Sequence, residues 1–113
     1  MTEQTTVTAT VTVLEQRTEL RVIGAPDLRN QHGGGHLRPI EVTLAHRPGG
    51  VRAQVYGHWV RGTGELTDAP LTANYAAHGD DLGDWPEWLA ALARAHAPQT
   101  AAAGTTHAER ISA

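Results

Sequence analysis

The chain has 113 residues and a mass of 12.1 kDa, which predicts one small domain with a single core. It contains no cysteine, so disulfide frameworks and thiolate metal sites are excluded. The formal net charge of −3 is uneven: residues 1–61 hold seven Arg against five Asp and Glu, whereas residues 62–113 hold two Arg against seven.

The first predicted element is a strand over residues 7–13, where Val and Ala alternate with Thr. A second strand is predicted over residues 19–23, after a polar turn. Pairing Val13 with Leu20 places both side chains on one apolar face, and the neighbouring pair of Val11 with Val22 follows the same pattern. These residues therefore predict a first β-hairpin.

A second hairpin is predicted beyond residue 39, because the sequence RPGG at residues 47–50 is a strong turn signal between two alternating segments. The resulting cross-strand pairs are His46 with Val51, Leu44 with Ala53 and Val42 with Val55. The predicted buried face holds Ile40, Val42, Leu44, Val51, Ala53, Val55 and Trp59. The opposite, polar face holds Glu41, Thr43, Arg52, Gln54, Tyr56 and His58, with Arg21 beside them.

Residues 62–84 are rich in Gly, Asp, Thr and Pro and predict a loop, with at most a short extended segment at residues 65–67. A helix is predicted to follow, with Asp84 and Glu87 as a capping box and Pro86 in the first turn. Its apolar stripe holds Trp85, Trp88, Leu89, Leu92 and His96. Pro98 ends the helix, and residues 99–113 lack a stripe, which predicts a disordered C-terminal tail.

These elements together predict a single α+β domain over residues 1–98. Its core is a four-stranded antiparallel sheet made of two β-hairpins, with one C-terminal helix packed on one face. Trp59, Trp85 and Trp88 are the expected large core residues, because the chain has no Phe.

The sequence NQHGGGHLRP, residues 30–39, is a candidate site because His32 and His36 flank three glycines. A helix presenting both histidines to a metal is excluded, since each Gly costs roughly 1 kcal/mol in a helix interior. Zinc also needs three or four ligands. Asp27 and His58 are the nearest further candidates, and nothing in the sequence fixes their distance from the two histidines. We therefore expect no metal or other cofactor, and a long mobile loop that presents Arg29 and Arg38 to a partner.

Two further stretches hold residue types that can carry chemistry. The acidic segment HGDDLGDWPE, residues 78–87, lacks the spacing of a calcium loop and is expected only to complement the helix dipole. The polar sheet face combines an aromatic side chain with basic and amide groups, a combination that stacks on single-stranded nucleic acid. No catalytic residue is identifiable. The candidate binding residues are Arg29, His32, His36, Arg38, Arg52, Gln54, Tyr56 and His58.

The run GAPDLRNQHGGGHLRPIEVTLAHRPGGVRAQVYGHWVR, with the later WPEWLAALARAHAP, resembles a group of small, Streptomyces-like actinomycete proteins that carry no assigned activity. The resemblance covers residues 20–98. It implies an accessory protein of the kind found near phage or plasmid genes, and it transfers no catalytic residue.

The expected function is that of a non-enzymatic binding or accessory protein. The chain shows no signal peptide and no apolar run near the roughly 20 residues that cross a bilayer, so we expect a cytoplasmic protein without membrane contact. The expected partner is a protein, or a second copy in a homodimer, bound through the sheet edge or the polar face. Two alternatives stay open: a nucleic-acid-contacting module that uses the Arg and Tyr side chains of the sheet face, and a small metal-dependent enzyme that uses the His and Gly loop.

Overall fold

The computed structural model describes residues 6–10 and 14–98, which hold five strands and one helix. The elements are β1 (Gln16–Arg21), β2 (Leu28–Arg29), β3 (His36–Arg47), β4 (Gly50–Val60), β5 (Leu66–His78) and α1 (Glu87–Ala95). One antiparallel sheet has the order β1-β3-β4-β5, and the short β2 pairs with β3 as well. The α+β class is confirmed, but the sheet has five strands rather than the four predicted.

The predicted second hairpin is confirmed as β3 and β4. All three predicted cross-strand pairs are present, from His46 opposite Val51 to Val42 opposite Val55. The register shifts between Pro39 and Glu41, so the intervening Ile40 is only half-buried, contrary to prediction. A β-bulge of this kind bends the strand and exchanges the two faces along it. The buried positions before the bulge are Leu37 and Pro39.

The predicted first hairpin is wrong in the described residues. β1 occupies Gln16–Arg21, which includes residues assigned to a turn, and it pairs with β3 rather than with residues 7–13. Residues 6–10 are exposed and belong to no strand, and residues 11–13 lie outside the described part of the chain. Pairing with β3 places Leu20 opposite Val42, a fully buried core residue, which a two-stranded local hairpin does not offer.

β5 is a strand of 13 residues in a region predicted to be a loop. Its apolar positions alternate, with Ala73 buried and Tyr75 half-buried on the face that points to the core. Pro70 lies in this strand without breaking it. Gly79 N donates to Gly49 O at 2.7 Å, so the odd-numbered residues of β5 bond to β4. The even-numbered residues, which include Pro70, direct their backbone groups away from β4. The edge strand therefore loses no hydrogen bond to proline.

α1 packs on the apolar face of the sheet. Leu89, Ala90 and Ala93 are buried in one cluster with the core residues of β3 and β4. His46 Nε2 donates to the carbonyl oxygen of Ala93 at 2.8 Å, which ties the end of β3 to the helix. Trp85 precedes the helix and is also buried, as predicted.

The start of α1 and one tryptophan differ from the prediction. The helix begins at Glu87 with Pro86 as its N-cap and no side-chain capping bond, so the predicted capping box at Asp84 is wrong. Trp59 is only half-buried and lies outside the core cluster. Its indole N–H donates to Gly34 O at 2.9 Å, so this side chain holds a loop instead of filling the core. The predicted tail, residues 99–113, lies outside the described residues.

Side chains bond to part of the outer edge of β5. By the same alternation, Asn74 directs its N–H and C=O away from β4. The side-chain amide of Gln31 meets both groups: its Oε1 accepts from Asn74 N at 2.7 Å and its Nε2 donates to Asn74 O at 3.1 Å. Trp85 Nε1 donates to Ala76 O at 3.4 Å. Gln31 thus makes the two bonds that a neighbouring strand would make.

Candidate functional site

The glycine loop is a short hairpin turn rather than the loop of about fifteen residues expected from the sequence. β2 pairs Leu28 with Leu37 and Arg29 with His36, which leaves only residues 30–35 between the strands. Asn30 organises this turn, because its Nδ2 donates to Gly34 O at 2.9 Å and its Oδ1 accepts from His32 N at 2.9 Å. The chain folds this way locally because a side-chain amide can satisfy backbone groups of a tight turn.

The turn is also anchored to two distant strands. Gln31 bonds Asn74 of β5, and Trp59 of β4 donates to Gly34. Gly35 has a φ of +80°, and a Cβ there would lie 2.6 Å from Trp59 Nε1. Only glycine combines this backbone conformation with so close an approach of the indole.

The two histidines of the turn are not part of a metal-binding cluster within the described residues. His32 and His36 are both exposed. Among residues 6–10 and 14–98, no three His, Asp or Glu side chains lie together in a way that could hold a metal ion.

The structure brings most of the predicted binding residues to one face of the sheet, the face opposite α1. Strand alternation places them there because their neighbours Leu28, Leu37 and Val55 point into the core. The seven residues on this outer face are Arg29, His36, Arg38, Arg52, Gln54, Tyr56 and His58. The eighth, His32, lies in the turn.

An open groove of about 480 Å³ lies at one end of this face. It is formed where the chain leaves β1, crosses to β2 and passes the bulge of β3. The residues that line it are Val22, Ile23, Gly24, Ala25, Pro26, Asp27, Arg38, Pro39, Ile40, His58 and Leu66. Two of the predicted residues, Arg38 and His58, are therefore part of the groove.

Asp27 and Arg38 form a two-bond ion pair at the groove. Arg38 Nε donates to Asp27 Oδ1 at 3.1 Å and its Nη2 donates to Asp27 Oδ2 at 3.2 Å. The hydrogen bond and the charge of Asp27 raise the pKa of Arg38 above its usual range, which strengthens the preference of this guanidinium for its charged form. The paired geometry fixes the plane of this side chain in a way that a single contact would not.

Large aliphatic side chains stand exposed at the groove. The exposed fraction of Ile23 is 94% and that of Leu66 is 47%. Tyr56, 40% exposed, extends this surface, since its ring lies edge-on to His58 with the centroids 6.4 Å apart. An aliphatic side chain this exposed gains free energy when a partner covers it.

Sequence reasoning missed Ile23 and Leu66 as parts of a site, and it considered Asp27 only as a further zinc ligand. Ile23 was expected to end a strand of the first hairpin, and Leu66 lay in the short extended segment predicted at residues 65–67. The signal for the Asp27–Arg38 pair was only that opposite charges flank a turn, which does not fix a contact.

The remaining outer face is polar. Arg21 pairs with Glu41 at 3.5 Å, an exposed ion pair, while Arg52 makes no ion pair with any described residue. Tyr56 is the one aromatic side chain among the exposed large hydrophobic residues of the described chain.

Comparisons with known proteins give no likeness: no family model, no curated protein and no solved structure matches the chain. The resemblance to actinomycete proteins stays a prediction. No helix in the described part of the chain is long and apolar enough to cross a membrane.

Proposed function

We propose that this chain is a non-enzymatic binding domain that takes an aliphatic side chain of a protein partner into the groove of the outer sheet face. The observation that supports this most is the exposure of Ile23 and Leu66 at the rim of a groove with a largely apolar lining. Exposed apolar groups clustered around a concavity are typical of interaction sites, whereas scattered ones are not.

The ion pair supplies polar contacts beside the apolar surface. A guanidinium carries five N–H donors, and Asp27 holds two of those of Arg38. The other donors are available to a carbonyl or carboxylate of the partner. Because Asp27 already orders the side chain, a partner bound there loses less side-chain entropy than one bound to a free arginine.

The groove offers little for catalysis. Its titratable side chains are Asp27, Arg38 and His58. Both oxygens of Asp27 are engaged by Arg38, so His58 has no carboxylate partner in the groove to orient it as a general base. This favours a binding role over the metal-dependent enzyme alternative.

Nucleic acid is the weaker binding alternative. Stacking on single strands uses several aromatic side chains along a positive groove, and here Tyr56 is the one exposed Tyr or Trp in the described strands. Arg21 is paired with Glu41, which reduces the free positive charge of the face. We further propose, on the resemblance alone, an accessory role in the actinomycete cytoplasm.

The test is selection of peptides from a displayed random library on the immobilised wild-type chain, followed by titration of the selected peptides. We expect peptides with a large aliphatic residue, and at least a tenfold weaker Kd for Ile23→Asp and Leu66→Asp. Val7→Asp is the matched control, because Val7 is 80% exposed and lies outside the groove. Peptides that bind all four chains equally would contradict the proposal.

A nucleic-acid role predicts a different result. Binding of an oligonucleotide would weaken steeply with salt and would depend on Arg52 and Tyr56 rather than on Ile23. Such a result, together with no peptide selection, would replace the groove proposal.

A further inference from the structure

The outer edge of β1 is open, unlike that of β5. Val22 N donates to Ile40 O at 2.9 Å, so the even-numbered residues of β1 bond to β3. The N–H and C=O groups of the odd-numbered residues Arg17, Glu19 and Arg21 therefore point away from β3. Within residues 6–10 and 14–98, no strand pairs with this edge. An edge with unpaired backbone groups is a template for another strand.

The charges along this edge alternate in sign. Glu15, Arg17, Glu19 and Arg21 follow one another at every second residue, so their side chains share one face of the strand. Charges on an edge strand commonly prevent association. A run of one sign repels a second copy in every register, whereas an alternating run can be complementary to itself.

We propose that a second copy of this chain pairs with β1 in an antiparallel arrangement, with the twofold axis at Thr18. Arg17 then faces Glu19 of the second copy, and Glu15 faces Arg21 of the second copy. The symmetry repeats both contacts, so the interface holds four pairs of opposite charge. The outward backbone groups of residues 17, 19 and 21 are the ones this register uses, so the ladder continues without a break.

The other face of the same register is also complementary. Extending the direction of β1 by two residues towards the N-terminus places Leu14 opposite Val22 of the second copy. Leu14 is 72% exposed in the single chain and Val22 is half-buried, so the contact covers apolar surface. Thr18 meets Thr18 at the axis, and β-branched pairs of this kind suit neighbouring strands.

Neighbouring registers oppose like charges. A shift by two residues in one direction sets Glu19 against Glu19 and Arg17 against Arg21. The shift in the other direction sets Arg17 against Arg17 and Glu15 against Glu19. A shift by one residue sets the outward N–H and C=O groups of one copy opposite residues of the other copy whose backbone groups already bond to β3. Shifts by four residues again oppose unlike charges, but they form only two such pairs rather than four. The register centred on Thr18 is therefore the most favourable in charge and backbone bonding together.

The ion pairs within the chain do not oppose this arrangement. Arg17 lies 3.6 Å from Glu15 and Arg21 lies 3.5 Å from Glu41, and the two arginine side chains are 72% and 75% exposed. Exposed pairs of this kind hold their side chains weakly, so the charges can turn to a second copy.

The test is sedimentation equilibrium of the full chain and of two charge-reversal variants at about 100 µM. We expect a dimer for the wild type and at least a tenfold weaker dimer for R17E and for E19R, since each sets like charges in opposition. An equimolar mixture of R17E with E19R should dimerise again, because every facing pair across the mixed interface is then of opposite sign. R94E is the control with the same charge change as R17E, because Arg94 is exposed on α1 and is not part of the β1 edge.

A backbone test compares Glu19→Pro with Glu19→Gln. Both remove the same charge and only proline removes a backbone N–H, so the proline variant should dimerise far more weakly. Glu19→Pro removes an outward N–H but no bond to β3, so it should give a folded monomer by circular dichroism and sedimentation. Thr72→Pro removes an outward N–H of β5 and should leave the dimer intact. A monomeric wild type, unchanged dimers of R17E and E19R, or a mixture that stays monomeric would each overturn the proposal. The inference does not rest on the groove, and peptide binding by the R17E monomer would show the two surfaces to be separate.

Discussion

Replacing Leu89 by alanine tests whether α1 contributes to the core through its contact with the sheet. Leu89 has 0% exposed surface and lies in the first turn of α1. The substitution removes three buried carbons, worth ~2.4 kcal/mol at roughly 0.8 kcal/mol per CH₂. The cavity left behind raises the expected loss to about 3–4 kcal/mol. Such a loss is a large share of the stability of a small domain.

The measurement is urea unfolding followed by tryptophan fluorescence. With a slope of ~1.5 kcal/mol per molar urea, the midpoint should fall by about 2 M. Ile23→Ala is the control, since an apolar side chain that is 94% exposed contributes within about 0.5 kcal/mol. A loss below ~1 kcal/mol for Leu89→Ala would refute the packing of the helix on the sheet.

Three further predictions concern the sheet. Gln31→Ala should cost roughly 1–2 kcal/mol for two lost hydrogen bonds and should speed hydrogen exchange of the Asn74 amide, and unchanged exchange there would contradict the contact. Gly57→Ala should cost ~1–3 kcal/mol in a chemical melt, because its Cβ would overlap a carbonyl of β3, whereas Gly62→Ala, with open space around it, should cost far less. Burial raises the pKa of Tyr75, so the native state resists its ionisation and stability is lost as pH rises above the ordinary tyrosine range. Thermal melts at pH 8 and about pH 11 should therefore show a smaller drop for Tyr75→Phe than for the wild type, and equal drops would contradict this reasoning.

The β3–β4 hairpin could be predicted because all of its determinants are local. The turn at residues 47–50 fixes the register, and the alternation on both sides agrees with it. The position of Ile40 could not be predicted, because a bulge depends on the close approach of Gly57 to the backbone of β3. Glycine marks such a site without showing which way the strand bends.

β1 and β5 were missed for different reasons. The partner of β1 is distant in sequence, and the local pattern of residues 7–13 suggested a nearer one. β5 shows a weak alternation through Leu71, Ala73 and Tyr75, which proline and glycine nearby obscured. That alternation was the available signal. A proline is compatible with a strand when its nitrogen faces an outer edge, and this orientation is a property of the assembled sheet.

The candidate site was predicted only in part. Strand alternation placed Arg52, Gln54, Tyr56 and His58 on one face, and the structure agrees. The groove itself joins segments far apart in the sequence, including Ile23 and Leu66. A contact between distant loops leaves no periodic trace in the sequence, so this part required the fold.

Pro70 has a consequence for how the sheet chooses its alignment. A slip of β5 by one residue would turn the proline nitrogen towards β4, where a donor is needed, and would move every side chain to the wrong face. A slip by two residues would keep the faces but would have to draw chain from the turn before β5. That turn is closed by hydrogen bonds from Arg61 N to Glu65 O and from Gly64 N to Arg61 O, both 2.8 Å long. It cannot release two residues to β5 without breaking these bonds. A single proline on an outer edge and one tight turn thus leave the longest strand of this domain with one alignment that it can keep.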